Sequence, residues 1–291
     1  MVSPQPGILA PVPLHARYVT YKLLPGADPR LSLRALRDAA DGNHTVVGFG
    51  LSLVSTLEVN IDELRVFPEF SGFGLDIPST PAALWAWLRG NDRGDIYNRH
   101  RALDAALNDT FCQDRVLDAF MHGSGRDLTG YEDGTENPKG KAAFSAAISK
   151  RKGIAGSSFV AVQQWLHNMP RYDAMPVKEQ DHCIGRRRSD NKELQDAPES
   201  AHVKRTGQES FDPEAFVVRR SMPWMEGNDC GLLFTAFGAT FDAFEAQFRR
   251  MLGVEDGIAD ALFKFTRPLT GAYFWCPPVK DKKLDLSALG L

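Results

Sequence analysis

The chain has 291 residues, of which 43% are hydrophobic and 24% are charged. These proportions are typical of globular proteins and exclude a largely disordered chain. The formal net charge of −3 argues against a protein that binds nucleic acid through a basic surface. Length alone allows either one large domain or two of ordinary size.

The sequence gives no sign of membrane insertion or of a redox dithiol. No run approaches the ~20 apolar residues that a membrane-spanning helix needs, and the N-terminal residues lack a basic region followed by an apolar core. We therefore expect a cytoplasmic protein without a membrane partner. The four cysteines form no C-x-x-C pair and are expected to be reduced thiols, mostly buried: Cys112, Cys183, Cys230 and Cys276.

The first half of the chain alternates strand and helix patterns. Enrichment in β-branched and aromatic residues predicts strands at Ala16–Leu24, His44–Leu53 and Val116–Phe120. Helical spacing predicts helices at Leu31–Ala40 and Asp95–Leu107. Ala83–Leu88 fits either type, and the Pro- and Gly-rich stretch Phe67–Pro81 is predicted to be a loop.

After a connection at Lys139–Lys152, the pattern starts again. Strands are predicted at Ser158–Leu166, Phe216–Met222, Leu232–Phe237 and Leu269–Trp275. A short helix is predicted at Val177–Ile184 and an amphipathic helix at Phe241–Leu252, with Gly253 as its left-handed cap. Both halves thus show strand, helix, strands, helix, strand, which favours an α+β fold whose antiparallel sheets each carry helices on one face.

A polar loop at Asp127–Pro138 separates the two halves. It contains two glycines, four carboxylates and an Asn-Pro step. Asp-Gly and Asn-Pro are turn signals, because Gly supplies positive φ and Asx side chains bond to their own backbone. Such a loop is either a structured turn or a scaffold that holds one carboxylate in place for proton chemistry.

Gly130-Tyr131-Glu132-Asp133-Gly134 matches the G-x-x-D-G signature of the dye-decolourising peroxidases. The residues that follow, Thr135 to Pro138, continue it as in the bacterial B-type members. The chain resembles this family over nearly its whole length, from Gln5 to Pro277. The resemblance implies two ferredoxin-like halves, 1–150 and 151–291, with haem b held in the C-terminal half.

A haem iron needs an axial donor, and histidine is a common one. The chain has seven histidines. The resemblance singles out His202 as the iron ligand, because the family's proximal histidine follows a segment that matches Gly185-Arg186 and Glu193-Leu194. His182 is the competing candidate.

Arg219 lies beside three apolar residues, where a charged side chain is unusual unless it meets a partner or a ligand. The resemblance assigns the distal arginine to Arg219 and places Ser221 near the pocket. Spacing resolves the choice between Arg219 and Arg220 only to within one residue. Strand alternation allows only one of these neighbours to face the cofactor.

The resemblance implies three further cofactor contacts. Arg186 matches an arginine that pairs with a haem propionate, and bidentate charge recognition suits that role. Asp260 matches a carboxylate that accepts a hydrogen bond from the proximal histidine, with Asp256 as the nearby alternative. Glu136 is expected to border the pocket.

These residues imply a haem peroxidase that oxidises aromatic or dye-like reductants with hydrogen peroxide. Asp133 is expected to move a proton between the two peroxide oxygens, and Arg219 to stabilise negative charge as the O–O bond breaks. A protein that stores or transfers haem or porphyrin is the alternative. A chlorite-dismutase-like enzyme is a third possibility, against which the G-x-x-D-G loop argues.

The resemblance also bears on partners. Family members commonly form dimers or larger rings, so a homo-oligomer is expected. The C-terminal residues 284–291 faintly resemble tails that direct some members into encapsulin shells, although an ordinary terminus fits them better. Large reductants could donate electrons through an aromatic residue at the surface. The five tryptophans are candidates for this role, although packing in the core is the better explanation for each: Trp85, Trp87, Trp165, Trp224 and Trp275.

Overall fold

The computed structural model describes residues 2–72 and 74–291. The strands in this part of the chain are β1 (Val2–Ser3), β2 (His15–Leu23), β3 (Thr45–Phe49), β4 (Phe70–Gly72), β5 (Leu75–Ile77), β6 (Leu84–Gly90), β7 (Phe111–Phe120), β8 (Ser158–His167), β9 (Val218–Arg219), β10 (Met222–Glu226), β11 (Asp229–Gly238), β12 (Thr266–Pro268), β13 (Ala272–Cys276), β14 (Val279–Lys280) and β15 (Lys283–Leu284).

The helices in the same residues are α1 (Pro6–Leu9), α2 (Arg30–Ala39), α3 (Leu51–Thr56), α4 (Arg93–Leu107), α5 (Gly140–Ala147), α6 (Met169–Asp173), α7 (Val177–Ile184), α8 (His202–Arg205) and α9 (Asp242–Met251). Three 3₁₀ turns accompany them, at Gln208–Ser210, Ala261–Lys264 and Ser287–Leu289. None of the helices in residues 2–72 and 74–291 combines the length and the apolar character that a membrane crossing requires.

Eight strands form a closed antiparallel ring. Their order is β8, β13, β3, β6, β2, β7, β10 and β11, and β11 pairs again with β8. The first half of the chain supplies four consecutive strands of this ring and the second half supplies the other four. The two sets of four strands meet at two places, each through a single residue pair. Trp275 of β13 lies opposite Phe49 of β3, and Trp224 of β10 lies opposite Ala119 of β7. A ring of about eight strands is wide enough for side chains alone to fill.

Two hydrophobic clusters result, because ring strands bury both faces. One cluster contains large aromatic side chains of the ring, and within it the Tyr18 ring stacks on Trp87 with centroids 5.9 Å apart. The other joins the opposite strand faces to α2, α4 and α9. All five tryptophans are at most 6% exposed, so the prediction of core packing is confirmed.

Most predicted elements are confirmed, including α2, α4, α7, β8, β11 and α9. The ambiguous stretch Ala83–Leu88 forms strand β6. Gly253 adopts the left-handed conformation just after α9, with φ of +66°. The ring strands together with α2, α4, α7 and α9 follow the predicted order of strand, helix, strands, helix and strand in each half, with further short elements between them. The chain is of mixed α and β type with antiparallel sheets.

Five predictions are wrong in their bounds or element type. The strand predicted at Val116–Phe120 begins at Phe111. The strand predicted at His44–Leu53 ends at Phe49, because the chain passes Ala82 so closely at Gly50 that a Cβ there would lie 1.9 Å from the Ala82 carbonyl oxygen. Helix α3 follows. The loop predicted at Phe67–Pro81 contains the hairpin β4–β5, the connection Lys139–Lys152 contains α5, and the strand predicted at Phe216–Met222 is divided into β9 and β10.

Candidate active site

A cavity lies between the second half's ring strands and its helices. Its empty volume is about 910 Å³ including the open mouth. The loop between the halves closes one side of the cavity with residues that include Asp127, Tyr131 and Asp133.

The sheet wall of the cavity carries both polar and apolar groups. Gln163, Trp165 and His167 alternate along β8 and therefore share the face that lines the cavity. Leu232 and Phe234 of β11 extend this wall. Gln163 is fully buried, and neither its Nε2 nor its Oε1 bonds to a described residue. The indole N–H of Trp165 is buried without a described partner too.

The opposite wall contains His202 at the first position of α8. Its Nδ1 lies 2.7 Å from Oδ2 of Asp260, whose side chain has no exposed surface. The other carboxylate oxygen of Asp260 accepts a hydrogen bond from the Leu262 N–H at 2.8 Å. Because an ionised carboxylate only accepts, Nδ1–H donates, which leaves the Nε2 lone pair of His202 available at the cavity.

The alternative residues point elsewhere. His182 lies 3.7 Å from the carboxylate of Asp196 and does not line the cavity. Asp256 forms a two-pronged ion pair with Arg205, with both distances 2.7 Å. The geometry thus brings His202 and Asp260 together and leaves His182 and Asp256 apart from them.

Asp133 reaches the cavity from the loop. Its backbone N–H donates to the Gly125 carbonyl at 3.0 Å, while its half-buried carboxylate makes no hydrogen bond to a described residue. Gly134 follows with φ of +75°, and a Cβ there would lie 2.7 Å from the Asn137 amide nitrogen. Asp133 also lines a smaller adjoining cavity of about 400 Å³.

Arg219 lines both cavities and so lies at their junction with Asp133. The Asn137 side chain holds its backbone: Oδ1 accepts from the Arg219 N–H at 2.7 Å, and Nδ2 donates to the Arg219 carbonyl at 3.0 Å. The Arg219 Nε is buried and has no described partner. Arg220 instead donates to the Leu9 carbonyl, in agreement with strand alternation.

Three predicted contacts lie outside the main cavity lining. Ser221 lines the smaller cavity together with Arg219. Arg186 lies 2.5 Å from Glu136 and 3.2 Å from Glu193, and neither it nor Glu136 lines the main cavity. The structure thus brings Arg186 and Glu136 together with each other instead of placing them at the cavity wall.

The loop is tied to β8 by residues that the sequence reasoning missed. Oδ1 of Asp127 lies 3.0 Å from Nε2 of His167, and Oδ2 accepts from the N–H and hydroxyl of Thr129. Burial raises the pKa of Asp127, but these hydrogen bonds and the His167 charge outweigh it, so the pKa lies below its ordinary value. Alternation along the predicted strand, continued by one residue, could have indicated His167; Asn137 had no signal beyond its turn.

Comparisons with known proteins identify the family of the chain. Residues 124–281 match the family model described as Dyp-type peroxidase, C-terminal. A dye-decolorizing peroxidase of Mycolicibacterium paratuberculosis is 30% identical over 302 residues, which cover 96% of this chain and 84% of the relative.

Two solved structures share the fold. The dye-decolorizing protein from V. cholerae has a TM-score of 0.86 and 27% identity, with 98% of each chain covered. A variant of DypB from Rhodococcus jostii RHA1, solved in complex with heme, has a TM-score of 0.85 and 24% identity, with 94% of this chain and 96% of that one covered. The chain therefore belongs to the family of DyP-type, dye-decolourising peroxidases.

Proposed function

We propose that the chain is a haem peroxidase that uses hydrogen peroxide to oxidise aromatic or dye-like reductants in one-electron steps. The observation that carries this proposal is one cavity with a carboxylate-paired histidine, His202, on its helix wall and with Asp133 and Arg219 on the sheet and loop side.

The residues of the cavity fit haem b. No three His, Cys, Asp or Glu residues in ranges 2–72 and 74–291 group around a point where a free metal ion could bind. A haem iron receives four nitrogens from its porphyrin, so a single axial donor such as His202 is sufficient. Leu232 and Phe234 on the sheet wall and Phe248 and Met251 on the helix wall provide apolar surfaces for a flat ring. When bound, the haem supplies the redox chemistry with peroxide.

His202 is proposed as the residue that would hold the haem iron, through the lone pair that its Nε2 keeps available. Asp260 holds the ring orientation through Nδ1 and makes the imidazole a stronger donor. Since Asp260 is itself fixed by the Leu262 N–H, the ligand is held by buried and ordered groups.

Asp133 and Arg219 are proposed as the catalytic pair. The Asp133 carboxylate has no described hydrogen-bond partner, so it is free to accept a proton from one oxygen of hydrogen peroxide and return it to the other, which would leave as water. The Arg219 guanidinium, whose Nε lacks a described partner, would stabilise negative charge on the peroxide, and the haem, when bound, would supply the two electrons that cleavage of the O–O bond requires. Ser221 is proposed to contact the same peroxide-binding region from the smaller cavity.

Arg186 and Glu136 are proposed to contact the cofactor at the cavity mouth. Glu132, which lines the cavity, accepts a hydrogen bond from Asn191, and the Asn191 carbonyl in turn accepts one from Arg186. Arg186 is therefore two hydrogen bonds from the lining. If a haem propionate displaced the half-exposed Glu136 side chain from Arg186, the arginine would pair with the propionate, as the resemblance implies.

We further propose that the ring consists of two ferredoxin-like halves, 1–150 and 151–291, with haem in the second. The matching element orders of the halves support a duplication. Apart from loop residues Asp127 to Asp133, every residue that lines the cavity belongs to the second half.

Partners are proposed from the same chemistry. Hydrogen peroxide and small aromatic reductants are the substrates, and a homo-oligomer remains the expected assembly.

In the C-terminal segment, Leu284, Leu286 and Leu289 are at most 3% exposed, which fits an ordinary packed terminus better than a free tag for an encapsulin shell. Storage of haem is the less favoured function, because it requires neither Asp133 nor Arg219.

Rapid-mixing spectroscopy of the haem-reconstituted protein tests the proposal. Wild type should change its Soret band promptly with one equivalent of peroxide, whereas His202→Ala should lose haem or change its ligation. Asp133→Asn and Arg219→Leu should both keep haem. At least one of these two variants should react with peroxide more slowly than wild type by tenfold or more. Arg187→Leu, which removes an exposed arginine paired with Asp190, is the matched control. Unchanged rates in both cavity variants would refute the catalytic assignment.

A further inference from the structure

The contact between His167 and Asp127 has no part in the chemistry described so far. His167 ends strand β8, and its side chain is 5% exposed. Asp127 begins the loop that carries Asp133. This contact is therefore the place where the rigid sheet meets the catalytic loop.

The groups around His167 offer an acceptor to each of its ring nitrogens. Nδ1 lies 2.7 Å from the Thr266 hydroxyl oxygen, which accepts from Nδ1 when the hydroxyl donates its proton to the Leu166 carbonyl at 3.0 Å. On the other side, Nε2 faces a carboxylate oxygen of Asp127 at 3.0 Å. That carboxylate already accepts two hydrogen bonds from Thr129, which favours its ionised form. This arrangement accommodates a ring in which both nitrogens donate.

The same carboxylate organises the start of the loop. The Asp127 N–H donates to the Tyr131 carbonyl at 2.8 Å, and the Asp127 carbonyl accepts from the Gly130 N–H at 2.9 Å. The turn from Asp127 to Tyr131 is thus closed on Asp127 by backbone and side-chain bonds together. Asp133 follows two residues after that turn, so its position depends on where Asp127 is held.

We propose that His167 is a positioning residue, whose imidazolium anchors Asp127 to strand β8 and thereby fixes the loop that presents Asp133 to the cavity. The anchor is a charge pair in a buried site, where an uncompensated carboxylate would be strongly disfavoured. Loss of the positive charge would release the turn even if a hydrogen bond to Asp127 remained. The inference rests on the proposed function only for its effect on peroxide turnover.

Two readouts on the haem-free protein test the anchor directly. ¹⁵N NMR should show His167 with both ring nitrogens protonated. In His167→Gln, which keeps a hydrogen-bond donor but no charge, amide exchange at Thr129 and Asp133 should accelerate by about tenfold or more. His44→Gln is the matched control: its Nδ1 lies 2.8 Å from Asp41, but this pair is about half exposed and far from the loop in sequence.

Kinetics of the haem-loaded protein then test the consequence. In His167→Gln, kcat/KM for hydrogen peroxide should fall by about tenfold or more, while KM for the reductant and the Soret position stay unchanged. Should His167→Gln not fold, Asp127→Asn removes the other charge at nearly constant shape and should show the same accelerated exchange.

The outcomes separate the two proposals. A neutral His167 ring in wild type, or unchanged loop exchange in a folded charge-removing variant, would overturn the anchor. Absence of haem binding together with the predicted exchange pattern would refute the proposed function and leave the anchor standing.

Discussion

Replacement of Asn137 by alanine should destabilise the protein and impair its reaction with peroxide. Strand β9 lies at the end of the strand order, so the outward backbone groups of Arg219 have no neighbouring strand. The Asn137 amide takes that place with one hydrogen bond in each direction. The Arg219 carbonyl also accepts from the Arg220 guanidinium at 2.9 Å, so loss of the Asn137 amide leaves the Arg219 N–H unpaired and releases the loop from this strand.

The size of the effect follows from these two bonds. A hydrogen bond contributes about 1 kcal/mol net, and a buried group left unpaired costs about 1–3 kcal/mol. Water has partial access, since both residues are half-buried. We therefore expect Asn137→Ala to lower the free energy of unfolding by about 2–4 kcal/mol, and about 1.4 kcal/mol in positioning would already reduce kcat/KM for peroxide tenfold.

Urea denaturation of the haem-free protein measures the stability change, and steady-state kinetics of the loaded protein measure the second effect. Asn60→Ala is the control, because within residues 2–72 and 74–291 the Asn60 amide bonds only to exposed Asp62. It should change the free energy of unfolding by less than about 0.5 kcal/mol. A change of similar size in Asn137→Ala would refute the reasoning.

Two further predictions concern buried polar groups at the cavity. Gln163→Leu should raise the free energy of unfolding of the haem-free protein by about 1–3 kcal/mol, because it removes a buried amide without described partners; a loss of stability in urea would show that the amide is satisfied. Because the pKa of Asp127 is lower in the folded than in the unfolded protein, its ionised form stabilises the fold. This contribution is complete above about pH 4, the pKa range of an aspartate in the unfolded chain, and is lost as the pH falls through the lower pKa of the folded state. The difference in unfolding free energy between wild type and Asp127→Asn should therefore shrink as the pH is lowered from 5 to 3, and a constant difference would contradict the prediction.

Local pattern was sufficient for most of the fold. Alternation and helical spacing depend on neighbours within a few residues, which is why β8, α4 and α9 could be predicted within a few residues of their observed bounds. The boundaries failed where a close contact distant in sequence intervenes. Gly50 ends β3 because Ala82 approaches it, and no local pattern reports that approach.

By itself, the sequence determined the element types, the polar loop with Asp133 and the small set of candidates for the site. Only the tertiary structure decided which candidates meet: His202 with Asp260 across 58 residues and Arg186 with Glu136 across 50. It revealed that Asn137, which was not a candidate, binds Arg219 across 82 residues. It also revealed the contact of His167 with Asp127, 40 residues apart. The physical reason is that periodicity defines the face on which a side chain lies, whereas a hydrogen bond between distant residues exists only once the sheet and helices have packed.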